Sequence, residues 1–325
     1  MAVGLVLPDD LGNFGLAETV RFARLADEAG FHSVWKQEAS GSNGLMALAA
    51  AARETDDVRL GSGVANVFSR TPTLLGMSAA TLDRLSNGRA VLGVGVSSKP
   101  VVGTWHGQSF DRPLRRLREA IEVVRDVLDG GTVHYEGEIF EVGPYTMALD
   151  AGDVPIYNGA MGPTNRRLTA EFCDGWLPGF VPADRLADLA SEMADDAAAA
   201  DREPPTVAPW VPTAVAEDAD HAARRARELV AHEMAMGYNE GMERYGFREE
   251  ADRAFERFRA GDRAGAAEAI PAEMVDTFAV YGTPETVRAR YERLLASGAD
   301  VVVAMPAFSA TGAEVETLIE TLASV

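Results

Sequence analysis

The chain has 325 residues, 47% hydrophobic and 25% charged, enough apolar material for two average domains or one large α/β barrel. Its formal net charge is −20, with only 2 Lys beside 28 Arg among the 30 basic residues, and so acidic a chain argues against nucleic acid as a partner. No long uncharged apolar run marks a membrane helix, the first residues lack a basic leader, and the one cysteine, Cys173, allows neither an intrachain disulfide nor a thiolate metal cluster, so a cytoplasmic protein is expected.

Taken in chain order, residues 3–7 are apolar throughout, as a strand buried on both faces should be. Phe22, Leu25, Ala26 and Ala29 then recur at helical spacing, and Gly30 ends that helix. Further strand runs follow at 33–36, 59–65, 89–94, 154–158, 175–177, 207–215 and 300–305, which with the first makes eight. Thr71-Pro72 and Thr283-Pro284 each place a capping hydroxyl before a proline at the first helical position. Pro113 opens a helix with Leu114, Leu117, Ile121, Val124 and Leu128 on one face, and Val287, Tyr291, Leu294 and Leu295 line another. Eight strand–helix alternations predict an α/β fold, a single (β/α)8 TIM barrel over 1–325. Two insertions interrupt it: a hairpin near 132–147, from its alternation, and several short helices near 238–281.

The low lysine content and the acidity together suggest a halophilic proteome under high internal salt, where self-repulsion is screened. An acidic protein encoded by GC-rich DNA has the same composition.

In a barrel of this kind the loops after the strands build the site. After the third strand run comes 61–72, and after the fourth Gly93-Val94-Gly95-Val96-Ser97-Ser98-Lys99. After the fifth, Gly159-Ala160-Met161-Gly162-Pro163-Thr164 leads directly into a helix. Its glycines expose backbone N–H groups and the helix N-terminus adds partial positive charge, so the loop suits an anion such as phosphate. A tight strand-to-helix turn with no ligand explains Gly159 and Gly162 equally well. Lys36 and Lys99 both fall at strand C-terminal ends, where an anionic cofactor would need cations in so negative a protein, although chance or a snorkelling Lys36 would place them there too. The histidines, His32, His106, His134, His221 and His232, are scattered, so no metal site is expected. With no nucleophile elbow or P-loop either, the chain is quiet about acid–base chemistry, which favours a cofactor that carries the reaction itself.

Residues 61–72, the run Ala80-Thr81-Leu82-Asp83-Arg84-Leu85-Ser86-Asn87-Gly88-Arg89-Ala90, residues 155–163, Asp174-Gly175 and Val280-Tyr281-Gly282-Thr283-Pro284-Glu285 resemble the luciferase-like (bacterial luciferase) superfamily. Within it they resemble the branch of oxidoreductases using the deazaflavin coenzyme F420, and are similar to the methylenetetrahydromethanopterin reductases. The resemblance implies a non-prolyl cis peptide at Gly63-Val64 against the cofactor ring and a phosphate held by Gly159, Ala160, Met161, Gly162, Pro163 and Thr164. It also implies Asn66 and Ser97 near the ring or ribityl chain, with Lys99 matching a lysine of the family loop. One departure stands out. Where family members commonly carry Asp-His after the second strand, this chain has Glu38-Ala39. Glu38 is then the candidate for proton transfer, or it only pairs with Lys36 or another rim cation.

The expectation is a homo-oligomeric F420-dependent oxidoreductase passing a hydride between the deazaflavin and a small-molecule organic substrate. An FMN-dependent monooxygenase or reductase is the alternative enzyme. A non-catalytic flavin- or deazaflavin-binding protein is the alternative of another class.

Overall fold

Six parallel strands, Val3–Val6, Ser33–Lys36, Arg59–Ser62, Ala90–Gly95, Ile156–Asn158 and Gly175–Trp176, pair each with the next in chain order. They are seen in a computed structural model that describes residues 2–8, 14–38, 41–149 and 152–325. The seventh position is a bent segment, Thr206–Val207 continuing into Trp210–Val215. Its first part pairs with Gly175–Trp176, and its second with the eighth strand, Val302–Pro306, which returns to Val3–Val6. Each expected strand is therefore found, and together they close into the (β/α)8 barrel.

Large rings fill the barrel because glycines face them. A Cβ on Gly61 would lie 2.2 Å from the Trp35 ring, and one on Gly175 would lie 2.4 Å from the Tyr157 ring. The Trp35 ring meets those of Tyr157 and Trp210 at centroid distances of 5.7 and 6.3 Å. Lys36, read from sequence as a rim residue, is fully buried in this layer and does not reach the surface.

Eight helices surround the strands: Leu16–Glu28, Gly44–Ala51, Pro72–Leu85, Pro113–Asp129, Pro163–Phe172, Ala183–Ala199, Pro284–Ala296 and Gly312–Leu322. The predicted caps form, with Thr71 accepting the Leu74 N–H at 3.3 Å and Thr283 accepting the Thr286 N–H at 3.4 Å. Leu117, Ile121, Val124 and Leu128 bury the stripe of Pro113–Asp129. The family run at 80–90 closes the opposite end of the barrel from the site. There the Arg89 guanidinium donates to the carbonyls of Val58 and Thr55 at 2.7 and 2.8 Å, and Asp83 accepts the Ala90 N–H at 3.2 Å.

The hairpin insertion is present as the antiparallel strands Gly131–Glu136 and Glu141–Met147. Buried Glu119 holds its turn by accepting the N–H groups of Glu138, Ile139 and Phe140 at 3.0, 2.8 and 3.0 Å. The helical insertion is larger than expected. The helix that returns the chain to the eighth strand is Pro284–Ala296, so Ala219–Glu233 already belongs to the excursion rather than to the ring. The excursion continues through a π-helical turn, Met234–Tyr238, a 3-10 segment, Asn239–Tyr245, and the helices Arg248–Arg259, Arg263–Glu268 and Ala272–Phe278. It ends in a short strand, Val280–Gly282, which pairs in parallel with Thr213–Val215 and was not expected. No helix of the described residues is long and apolar enough to cross a membrane.

Candidate active site

The strand C-termini and the excursion enclose a cavity of about 510 Å³, within the range of about 300–1,000 Å³ usual for ligand pockets. Its floor is nearly bare of side chains. The Gly63-Val64 peptide is cis, as the resemblance implies, and Val64 projects between Gly95 and Gly159. A Cβ on Gly95 would stand 2.6 Å from Val64 Cγ2, one on Gly159 would stand 3.3 Å from Val64 Cγ1, and one on Gly63 would stand 2.3 Å from the Trp210 ring. Larger residues at 63 and 95 would fill the floor. Trp210 also lines the cavity, and its buried Nε1 has no hydrogen-bond partner among the described residues.

One wall is the loop after the fifth strand. Asn158 at the strand end donates through Nδ2 to Asn165 Oδ1 at 3.0 Å and Thr169 Oγ1 at 2.9 Å, which fixes the helix Pro163–Phe172 to the strand. Gly162 is the N-cap residue of that helix, and no side chain caps it. Cations gather there: Arg166 and Arg244 each approach the Met161 carbonyl at 3.4 Å, and Arg244 Nη2 lies 3.5 Å from where a Gly162 Cβ would be. Burial raises the Tyr245 phenol, while Arg244, Arg166 and Arg185 oppose the rise. Arg166 is also paired with Glu192 at 3.3 Å, which leaves Arg244 as the cation closest to the open N-terminus at Gly162.

The sequence-derived residues divide into two groups. Glu38, Gly63, Val64, Ser97, Gly159, Met161 and Gly162 line the cavity. Ser97 does so in the left-handed backbone region, at φ 59°. Asn66 is buried instead, with Oδ1 accepting the Phe68 N–H at 2.8 Å, and Ala160 is buried with its carbonyl accepting from Trp176 Nε1 at 2.8 Å. Lys99, Pro163 and Thr164 are exposed and outside the lining. Glu38 is held by a bidentate ion pair with Arg70, Nη1 to Oε2 at 2.7 Å and Nη2 to Oε1, with both side chains largely buried. Arg70 is thus a rim cation with which Glu38 pairs. Ala39, where the family carries its imidazole, lies outside the described residues.

Among the lining residues that escaped the sequence reading are Glu233, Tyr238 and Arg244 from the excursion, Trp210 from the seventh strand, and Asn165 from the helix after the fifth strand. Glu233 is the last residue of Ala219–Glu233, and burial pushes its carboxyl up to about 8. Its neighbour His232 has its ring centroid 3.9 Å from that of Phe308, and burial followed by Arg263 pushes it down to about 4. A carboxyl next to a histidine was the only available signal, and it lacked metal-motif spacing.

Comparison with known proteins agrees with this geometry. The luciferase-like monooxygenase family matches residues 1–301. A protein of Mycobacterium tuberculosis named for coenzyme F420-dependent oxidoreductase activity is 35% identical over 93% of this chain and 95% of its own. The 5,10-methylenetetrahydromethanopterin reductase of Archaeoglobus fulgidus is 33% identical over 87% of each chain. The solved structure of the coenzyme F420-dependent tetrahydromethanopterin reductase of Methanopyrus kandleri superposes with a TM-score of 0.86 at 25% identity, over 99% of this chain and 98% of its own.

Proposed function

The chain belongs to the luciferase-like monooxygenase family, and from that premise we propose that it is an oxidoreductase using coenzyme F420 to exchange a hydride with a small organic substrate. The observation that carries the reading is the joining, in one cavity, of a flat floor at Gly63, Val64, Gly95 and Gly159 to an arginine-flanked helix N-terminus at Gly162. The residues present fit such a cofactor: the floor would be filled by a Cβ at Gly95, and the buried Trp210 N–H of the lining is a donor without a partner among the described residues. The loop Gly159 to Thr164, through its backbone, and Arg244 would hold the phosphate. When bound, the deazaflavin supplies a ring carbon that takes or gives a hydride.

The chain's own residues do the rest. Val64 and Trp210 bound the place where a ring can lie, and Met236, Tyr238 and Phe308 wall off water from above. Glu38 and Arg70 neutralise each other at the rim, so the role that best suits Glu38 is positioning the rim rather than moving a proton. F420 is preferred over FMN because the relatives at 35% and 33% identity include one named for F420 and one for the tetrahydromethanopterin reduction that the solved structure links to it.

The absorbance spectrum of natively purified protein tests this, since a deazaflavin absorbs in the violet and a flavin in the blue. A violet band, with turnover by reduced F420 and none by reduced FMN, is expected. A flavin spectrum with FMN-dependent turnover would move the protein to the other cofactor.

A further inference from the structure

Glu233 is a buried acid in the cavity lining. It lines the cavity that also contains Val64, Trp210 and Gly162, at the point where Ala219–Glu233 gives way to the π-helical turn Met234–Tyr238. It is 2% exposed, and its Oε1 has no hydrogen-bond partner among the described residues. A buried carboxylate without a cation is costly, so such a group keeps its proton.

The other charged groups of the cavity do not relieve it. Glu38 is committed to Arg70, Arg244 lies toward the Met161 carbonyl, Glu240 is exposed, and Tyr238 is a neutral phenol whose ionisation is suppressed by burial and by Glu233 itself. His232 faces Phe308 and Phe258. Burial pushes the Glu233 carboxyl up to about 8, toward its protonated form.

Resting on the hydride-transfer reading above, we infer that Glu233 is the proton donor and acceptor of this site, and that its substrate belongs to the carbonyl–hydroxyl class. In the reducing direction a hydride from a reduced deazaflavin forms the new C–H bond at the carbonyl carbon, and the C=O π pair moves onto oxygen. That oxygen takes the proton of the Glu233 carboxyl, leaving a carboxylate and an oxidised deazaflavin. In the oxidising direction the Glu233 carboxylate takes the hydroxyl proton as the hydride leaves carbon. Solvent restores the carboxyl between turnovers. Hydride addition to an already formed cationic C=N group takes up no proton, whereas hydride addition to a carbonyl does.

The test uses the full-length protein and its Glu233→Gln variant. Deazaflavin binding is followed by tryptophan fluorescence, and turnover by assays of small ketones with reduced F420 and of the matching secondary alcohols with oxidised F420. Infrared spectra of both proteins without cofactor report protonated carboxyls directly. The expected result is equal F420 affinity, a turnover loss of about 100-fold or more in Glu233→Gln, and a protonated-carboxyl band at neutral pH that the variant lacks. Equal affinity with unchanged turnover overturns the role of Glu233. A band that is missing from the wild-type protein at neutral pH overturns it independently of activity, even where the variant folds poorly. Intact binding with no turnover on any ketone or alcohol overturns the substrate class. Failure of the wild-type protein to bind F420 overturns instead the function reading beneath it.

Discussion

The floor and the roof of the cavity differ in what they contribute. The floor consists of strand ends, Gly63, Val64, Gly95 and Gly159, with a single apolar side chain standing between glycines. The roof comes from the 219–278 excursion and carries Glu233, Tyr238, Glu240 and Arg244. Shape is therefore set by the part of the molecule that closes the barrel, and charge by the part that departs from it. A change to the floor should act on whether a ring fits at all, whereas a change to the roof should act on affinity or proton transfer while leaving the fold intact.

The largest effect is expected at the floor. Gly95→Val puts its side chain against Val64, where even a Cβ has only 2.6 Å, so F420 affinity should fall by roughly 100-fold and the melting temperature should drop as well. Isothermal titration and a thermal melt measure both, and undiminished affinity would break the distinction between the two regions.

The next effect belongs to Glu233. Its carboxyl rises from 4.5 to about 8 on folding, so the unfolded chain releases that proton first. Stability is untouched by this group below about pH 4.5, declines as pH rises, and levels off above about pH 8. Glu233→Gln should remove that part of the slope and melt higher than the parent at pH 8, as read by circular dichroism. Parallel melting curves for the two proteins across that range would mean the carboxyl is not held protonated.

Arg244→Ala should weaken F420 binding by roughly tenfold without altering the melting temperature. Gly162→Val should behave similarly, since its φ of −95° and a 3.5 Å clearance to Arg244 allow a side chain that intrudes on the anion site but not on the fold. Salt should separate the regions further. It should raise the melting temperature by screening the net charge of −20, while reducing the penalty of Arg244→Ala. A melting temperature that ignores salt would reduce the acidic composition to a coding bias.

Glu38→Gln should have the smallest effect. The neutral amide keeps one contact to Arg70 and its place at the rim, so turnover should fall by less than about tenfold, below what loss of a general acid gives. A larger loss at unchanged F420 affinity would return the proton-transfer role to Glu38.

How legible each part was follows from the same division. The barrel strands are apolar runs bounded by turn residues, and their order is imposed by closure, so all eight could be found in the sequence. Gly63, Val64 and Gly159 of the floor were legible through the family resemblance, whereas Gly95 was not singled out, because Gly-x-Gly in a β/α chain often only relieves crowding. The roof was not legible. Ala219–Glu233 buries Ala222, Ala226, Leu229 and Val230 on one face, as a ring helix would, and nothing local to it says that the chain has left the ring. The strand Val280–Gly282 is three residues long, too short for a period to show. Arg244 is one of 28 arginines and Glu233 one of 50 acidic residues, and only their tertiary placement in the cavity lining distinguishes them. Lys99 shows the converse: a position carried over from the family that this chain leaves exposed at the start of Pro100–Trp105.

The central claim is that floor and roof together form a deazaflavin site, and titration of the purified protein with F420 and with FMN, followed by the fluorescence of Trp210 and its neighbours, tests it most directly. The account predicts saturable one-to-one quenching by F420, weaker binding of FMN, and loss of the F420 signal in Gly95→Val. Tighter binding of FMN, or no response to F420 by protein that melts cooperatively, would contradict it.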